Sequence, residues 1–185
     1  MVAIKLATIE DLEALPDDGY LWELIDGELI RKEPMGAEHA DLGAGVLARL
    51  WWFLREHPLG RVFNPEAIFL LQRDPQLAVR PDVSYVRSDR LPSGDLYDKP
   101  LELVPDLVVE VVSPNDRAGD LERRIQRYLA FGVPLHWVLW PRRRAITVYA
   151  DGRLVRELGE DDELDGGDIL PGFRVAVADL FDIGR

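Results

Sequence analysis

Apolar positions along the chain change period several times, and each change predicts an element. From Ala37 to about His57 the spacing is helical, with Gly43, Val46, Leu50, Phe53 and Leu54 on one face. A second helix is predicted from about Gly119 to Phe131. Leu121, Ile125 and Leu129 form its apolar stripe, and Asp120, Arg124 and Tyr128 line one flank. Gly132-Val133-Pro134 ends it. Period-2 alternation in Tyr20–Ile25 and Glu28–Lys32 surrounds Asp26-Gly27, the signature of a hairpin with a two-residue turn. Ile146–Ala150 and Leu154–Leu158 repeat it around Asp151-Gly152. Val62–Leu71, Asp82–Val86, Leu107–Val112 and Leu135–Trp140 read as strands. Thr8 to Asp11 is a capping box for a short helix stopped by Pro16 and Gly19. Near the end, Pro171-Gly172 is expected to break the acidic segment before a last short strand and turn. Strands come in a run, then a helix, then more strands. That order predicts an α/β fold with a mixed central β-sheet flanked by helices, not a doubly wound sheet.

Composition narrows the classes. The 185 residues show no repeat and no linker, so one domain spanning residues 1–185 is expected. No apolar run approaches the roughly 20 residues that cross a bilayer. Glu10, Asp11 and Glu13 stand where a signal peptide would be apolar. The absence of cysteine removes disulfides and Cys-ligated metals, and a cytoplasmic location is expected. No glycine-rich phosphate loop and no Gly-x-Ser-x-Gly elbow is present. His39, His57 and His136 lack the spacing of a zinc site. The net charge of -12 gives no long-range attraction for polyanions, although seven of the acids crowd between Glu157 and Asp168.

Chemistry enters where carboxylates interrupt apolar strands. Glu110 stands in the β-branched run Leu107–Val112, on the face of Val108 and Val112. Unpaired and buried, it would cost several kcal/mol. Asp82, in Pro81-Asp82-Val83-Ser84-Tyr85-Val86, raises the same problem. Two neighbouring strands could bring both acids to one divalent cation. Mg²⁺ takes one or two protein carboxylates and completes its shell with water and phosphate. An ordinary salt bridge from each acid to an arginine would compensate equally well. Arg124 is spaced to reach back over the strand end towards Glu110, and Ser113 ends that strand. On the long helix His39, and not Glu38, is aimed at the sheet. Glu23, in the first hairpin, is a third candidate acid.

These residues resemble the PD-(D/E)XK nuclease superfamily. More narrowly, they resemble its bacterial restriction-endonuclease branch, long filed as a domain of unknown function. Trp22–Leu29 looks like the opening hairpin of that branch, and His39 falls where it has a histidine. Arg80-Pro81-Asp82-Val83 and Pro105–Pro114 look like its two metal-site strands. Tyr128, Gly132-Val133-Pro134, Trp137, Leu170-Pro171-Gly172-Phe173 and Asp179-Leu180-Phe181 follow in order. The resemblance implies a restriction-endonuclease-like core with an N-terminal hairpin and a C-terminal β-hairpin. It implies Mg²⁺- or Mn²⁺-dependent hydrolysis of DNA phosphodiesters, with Asp82 and Glu110 as ligands. Arg124 joins them as a catalytic residue, and Glu23, His39, Ser113 and Tyr128 are accessory candidates. In the superfamily a lysine two residues after the glutamate orients the water; here that residue is Val112. In the branch the lysine lies four residues before the tyrosine; here that residue is Arg124. A guanidinium can stabilise phosphate charge but cannot act as a base. The alternative is therefore a nuclease-fold protein without cleavage activity, serving nucleic-acid binding or assembly. A homodimer is also expected. Leu47, Trp51, Trp52 and Leu54 widen the apolar arc of the long helix beyond one helix-on-sheet contact.

Overall fold

The computed structural model describes residues 6–94 and 99–182. The chain begins with α1 (Ile9–Glu13), β1 (Trp22–Ile25), β2 (Glu28–Arg31) and α2 (Ala37–Glu56). Next come β3 (Gly60–Phe63), β4 (Phe69–Arg73), β5 (Gln76–Val79), β6 (Val83–Arg87), β7 (Leu107–Val111) and α3 (Ala118–Ala130). The last part holds β8 (Leu135–Trp140), β9 (Ala145–Ala150), β10 (Arg153–Leu158), β11 (Glu163–Gly166), β12 (Leu170–Ala176) and α4 (Val177–Phe181).

Local chemistry explains much of this. Thr8 accepts from the Asp11 N–H while the Asp11 carboxylate accepts from the Thr8 N–H at 2.9 Å, which caps α1. Both Asp-Gly hairpins form. Asp26 and Gly27 have φ of 51° and 80°, and Asp151 and Gly152 have 49° and 73°. Positive φ at both turn positions gives the twist that paired strands need.

Two expectations are corrected. Val62–Leu71 is not one strand. Its first part belongs to β3 and its last part to β4, in different sheets. Pro65 has no N–H for a ladder, and the Asn64 side chain accepts from the Glu66 N–H, so the chain turns there. Pro171-Gly172 does not precede the last strand but lies within it, in β12, which pairs with β11 in a two-stranded sheet. Such a sheet is all edge, where a strand proline is tolerated. The expected final turn is α4. β5 escapes the sequence pattern because four residues are too few for alternation to stand out.

The main sheet has the order β10-β9-β8-β7-β6-β3. Only β7–β8 is parallel, and α3 supplies the crossover that parallel strands require. A second sheet, β2-β1-β5-β4, contains the N-terminal hairpin. Side chains on β7 alternate between two cores. Leu107, Val109 and Val111 join Val46 and Leu50 of α2. Val108 joins Phe69, Val79 and Tyr128 on the opposite face. Glu110 shares that second face with Val108. Among the described residues no helix is long and apolar enough to cross a membrane.

Candidate functional site

Register brings the two acids together. β6 and β7 are antiparallel, with Val83 opposite Val109, Ser84 opposite Val108 and Tyr85 opposite Leu107. Continued by one residue, the same register sets Asp82 opposite Glu110. Directly opposed residues have Cβ atoms roughly 5 Å apart. Both carboxylates are buried, Asp82 at 6% exposure and Glu110 at 1%.

Each acid has its own set of partners. The Val111 N–H donates to Asp82 Oδ2 at 2.9 Å, and Lys32 Nζ donates to Oδ1 at 3.2 Å. His39 Nε2 lies 3.1 Å from Oδ2. That approach is off the line of a hydrogen bond, so the buried nitrogen has no aligned partner. Around Glu110, Arg124 Nη1 donates to Oε2 at 2.8 Å and the Tyr128 hydroxyl donates to Oε1 at 3.0 Å. Arg124 Nη2 donates to Asp116 Oδ1 at 3.2 Å.

Electrostatics pull the two carboxyls apart. Burial disfavours ionisation of Asp82, but the Lys32 ammonium, His39 and the Val111 N–H outweigh it and hold the group well below the usual range. Glu110 moves upward, through burial first and then the Asp82 charge, against the pull of Arg124 and Lys32. Burial alone would lower Lys32, yet the charges of Asp82 and Glu110 raise it. Arg124 is raised chiefly by Glu110. Tyr128 stays a neutral donor because burial and Glu110 both push its pKa upward. Paired titratable groups pushed in opposite directions are a recurrent feature of functional sites.

Other sequence candidates fall around this centre. His39 faces the sheet as its helical position requires. Glu23 Oε1 accepts from the Arg80 N–H at 2.8 Å and so anchors the chain two residues before Asp82. The Ser113 hydroxyl accepts from the Asn115 N–H and shapes the turn after β7 without a hydrogen bond to either acid. Leu121 and Ile125 form one cluster with Leu129 packed against it, and Tyr128, expected on the flank, is fully buried in the neighbouring cluster of Val108. From there its hydroxyl reaches Glu110. Sequence reasoning missed Lys32 and Asp116. In Arg31-Lys32-Glu33 nothing marks the middle residue off from a charged strand end, and its contact is 50 residues away.

The donor set suits a hard divalent cation. Two opposed carboxylates are the oxygen donors that Mg²⁺ or Mn²⁺ takes, with water and phosphate completing the shell. Among the described residues no group of three His, Cys, Asp or Glu forms a ready cage, so most of the shell of a bound ion would come from water or phosphate. Access is from one side. Asp82, His39 and Lys32 line a cleft of about 590 Å³ whose other walls include Tyr20, Met35 and Leu47.

Comparison with known proteins agrees with this architecture. Residues 9–178 match the family model described as "Uma2: Putative restriction endonuclease". The fold is similar to the crystal structure of "a putative nuclease belonging to DUF820 from Anabaena variabilis ATCC 29413". The TM-score is 0.81 at 18% identity, over 94% of this chain and 97% of that one. No curated protein matches the chain.

Proposed function

Since this chain belongs to the Uma2 family of restriction-endonuclease-like proteins, we propose that it hydrolyses DNA phosphodiester bonds with a divalent metal held by Asp82 and Glu110. The observation that carries the reading is the pair of buried carboxylates set opposite each other by the β6–β7 register, with Asp82 in the wall of a cleft. A Mg²⁺ or Mn²⁺ ion bound there would polarise the scissile phosphate and lower the pKa of the attacking water. The protein's own part is to fix the geometry. Val111 holds Asp82 through its backbone N–H. Tyr128 and Arg124 hold the two oxygens of Glu110. Glu23 sets the backbone that carries Asp82.

The net charge of -12 does not oppose this reading at the site itself. The acidic stretch falls on β10, β11, the link between them and the turn after β11, and β10 is the sheet edge three strands from β7. Several of its acids are already paired, Asp165 with Arg156, Glu163 with Arg174 and Glu160 with Arg144. We further propose that the chain acts as one domain and works as a homodimer. Trp51 and Trp52 on α2 stay 48% and 63% exposed, with Arg55 over both rings, an apolar patch for a second copy to cover. Sedimentation showing only monomer at micromolar concentration would refute the dimer.

One observation favours the inactive alternative: Asp82 and Glu110 are already neutralised by Lys32 and Arg124. Incubation with supercoiled plasmid decides between the two. Nicking with Mn²⁺ or Mg²⁺ that is lost in Asp82→Asn supports the nuclease. No nicking with either metal supports the binding or assembly role.

A further inference from the structure

Lys32 follows the last residue of β2 and extends the hairpin through its backbone N–H to Leu21 O at 2.8 Å. Its neighbours Arg31 and Glu33 are exposed and only 3.9 Å apart in a loose pair. The Lys32 side chain instead turns inward and is 11% exposed. Lysine is almost never buried without a partner, because its ammonium is strongly hydrated. Here Nζ donates to Arg80 O at 2.7 Å and to Asp82 Oδ1 at 3.2 Å. An ammonium has three donors, so one remains beyond these two bonds.

Arg124 is placed differently. Its Nη1 is committed to Glu110 and its Nη2 to Asp116. Neither Arg124 nor Glu110 lines the cleft, whereas Lys32 stands in its wall with Asp82 and His39. A phosphate entering from the cleft therefore meets the ammonium and not the guanidinium. Lys32 and Arg124 also come from different elements, one from the end of the N-terminal hairpin and one from the crossover helix.

We propose that Lys32 is the ammonium of this active site: it contacts the substrate phosphate and the attacking water at Asp82, while Arg124 serves as the clamp on Glu110. This inference rests on the nuclease reading above. It also makes a prediction that needs no substrate. Without a divalent ion, Lys32 is the cation that neutralises Asp82. Replacing it with methionine, which keeps the length of the chain and removes the charge, leaves that role to the added metal.

The test compares wild type, Lys32→Met and Lys32→Arg in two assays. In thermal melts without DNA, Lys32→Met should melt lower than wild type and gain a larger rise from Mn²⁺. Calorimetry should give it a Mn²⁺ affinity about 10-fold tighter, the size of change expected when a neighbour of a metal ligand is altered. Lys32→Arg should keep the wild-type Mn²⁺ response. In plasmid nicking at saturating Mn²⁺, Lys32→Met should lose about 100-fold, as when a reacting group is no longer positioned, and Lys32→Arg should recover only part. If Lys32→Met does not fold, Lys32→Gln, whose amide can still donate to Arg80 O, takes its place. Nicking by the uncharged variant at the wild-type rate overturns the proposal. So does an unchanged Mn²⁺ response, which would make Lys32 only a tether for the hairpin. If wild type binds Mn²⁺ but never nicks, the nuclease reading fails, and the proposal falls with it as a statement about substrate. The Mn²⁺ assays then still decide whether Lys32 neutralises the cation site.

Discussion

A carboxylate is buried at each end of β7, and the two are held in different ways. Asp106, just before the strand, is 3% exposed. Arg90 Nη1 donates to it at 2.6 Å and the Arg87 N–H donates to its other oxygen at 2.9 Å. Continued backward, the β6–β7 register sets it opposite Val86, an apolar residue. Glu110, four positions on, is opposite another carboxylate. Its neighbour Asp82 stands beside an imidazole nitrogen without an aligned partner and lines a cleft. Burial of an acid is therefore no mark of function. The first end is a closed account of charge and donors; the second is left unbalanced in a way that a cation and a phosphate would complete.

Mutation at the two ends should separate these cases. The largest effect is expected on cleavage. Asp82→Asn should lower Mn²⁺-dependent nicking by more than about 100-fold, the upper range for disturbing even a neighbour of a metal ligand. Asp106→Asn should leave the rate per folded molecule unchanged. Equal losses in a plasmid assay on folded, quantified protein would erase the distinction.

Next in size is the response to metal. An ion bound only by the folded state adds about 2.7 kcal/mol at 100-fold over its dissociation constant. For a chain of this length that is a rise of roughly 5–10 °C in Tm. Scanning calorimetry should find it in wild type and in Asp106→Asn, but not in the Asp82→Asn, Glu110→Gln double variant. An equal rise in all three would place the ion elsewhere.

A smaller effect belongs to the Asp106 end alone. Asp106→Ala leaves the Arg87 N–H without its acceptor, while Arg90, 37% exposed, can turn to water. The cost should be about 2 kcal/mol, that of one unsatisfied buried donor. Denaturant unfolding should show it, with the metal response intact.

How far the sequence reveals this contrast depends on whether the information is local. Glu110 in a β-branched strand, Asp82 after a proline and His39 at its helical angle could each be read from a few neighbouring residues. Arg124 and Tyr128 follow from the period of one helix and from the family resemblance. The hairpins were legible because Asp-Gly fixes two positive φ values. Lys32 was not, because its burial depends on a second sheet packing beside β6, and no short pattern encodes that packing. Asp106 lies in the same quoted motif as Glu110, yet what closes its account is Arg90, on the connection after β6. The split of residues 62–71 between two sheets failed for a related reason. An apolar run shows that residues are buried but not which sheet buries them.

The last test concerns a third kind of buried polar group, which sharpens the comparison because it is neither satisfied nor open to the cleft. His136 on β8 is fully buried, and both its ring nitrogens lack hydrogen-bond partners. Its ring lies 5.3 Å from that of Tyr128 and 5.7 Å from that of Tyr149. Burial first, and the Arg124 charge second, push its pKa down to about 3 from 6.5. A base with a depressed folded pKa is neutral in the native state, while the unfolded chain takes up a proton below about 6.5. The contribution of His136 is therefore complete above that pH and lost as the pH falls towards 3. The slope should reach about 1.4 kcal/mol per pH unit. Asp82 acts with the same sign but in a lower window, because its lowered carboxyl protects the fold until the pH falls below the ordinary carboxylate range. Glu110, raised, works the other way: its folded form takes up a proton more readily than the unfolded chain, so acid favours it. Loss of stability between pH 6.5 and 5 should thus belong to His136. His136→Leu should flatten urea-unfolding stability across that window and leave the loss below pH 4 in place. If the slope persists in the leucine variant, another group is titrating, and the imidazole behind Tyr128 is not the third case that the two ends of β7 require.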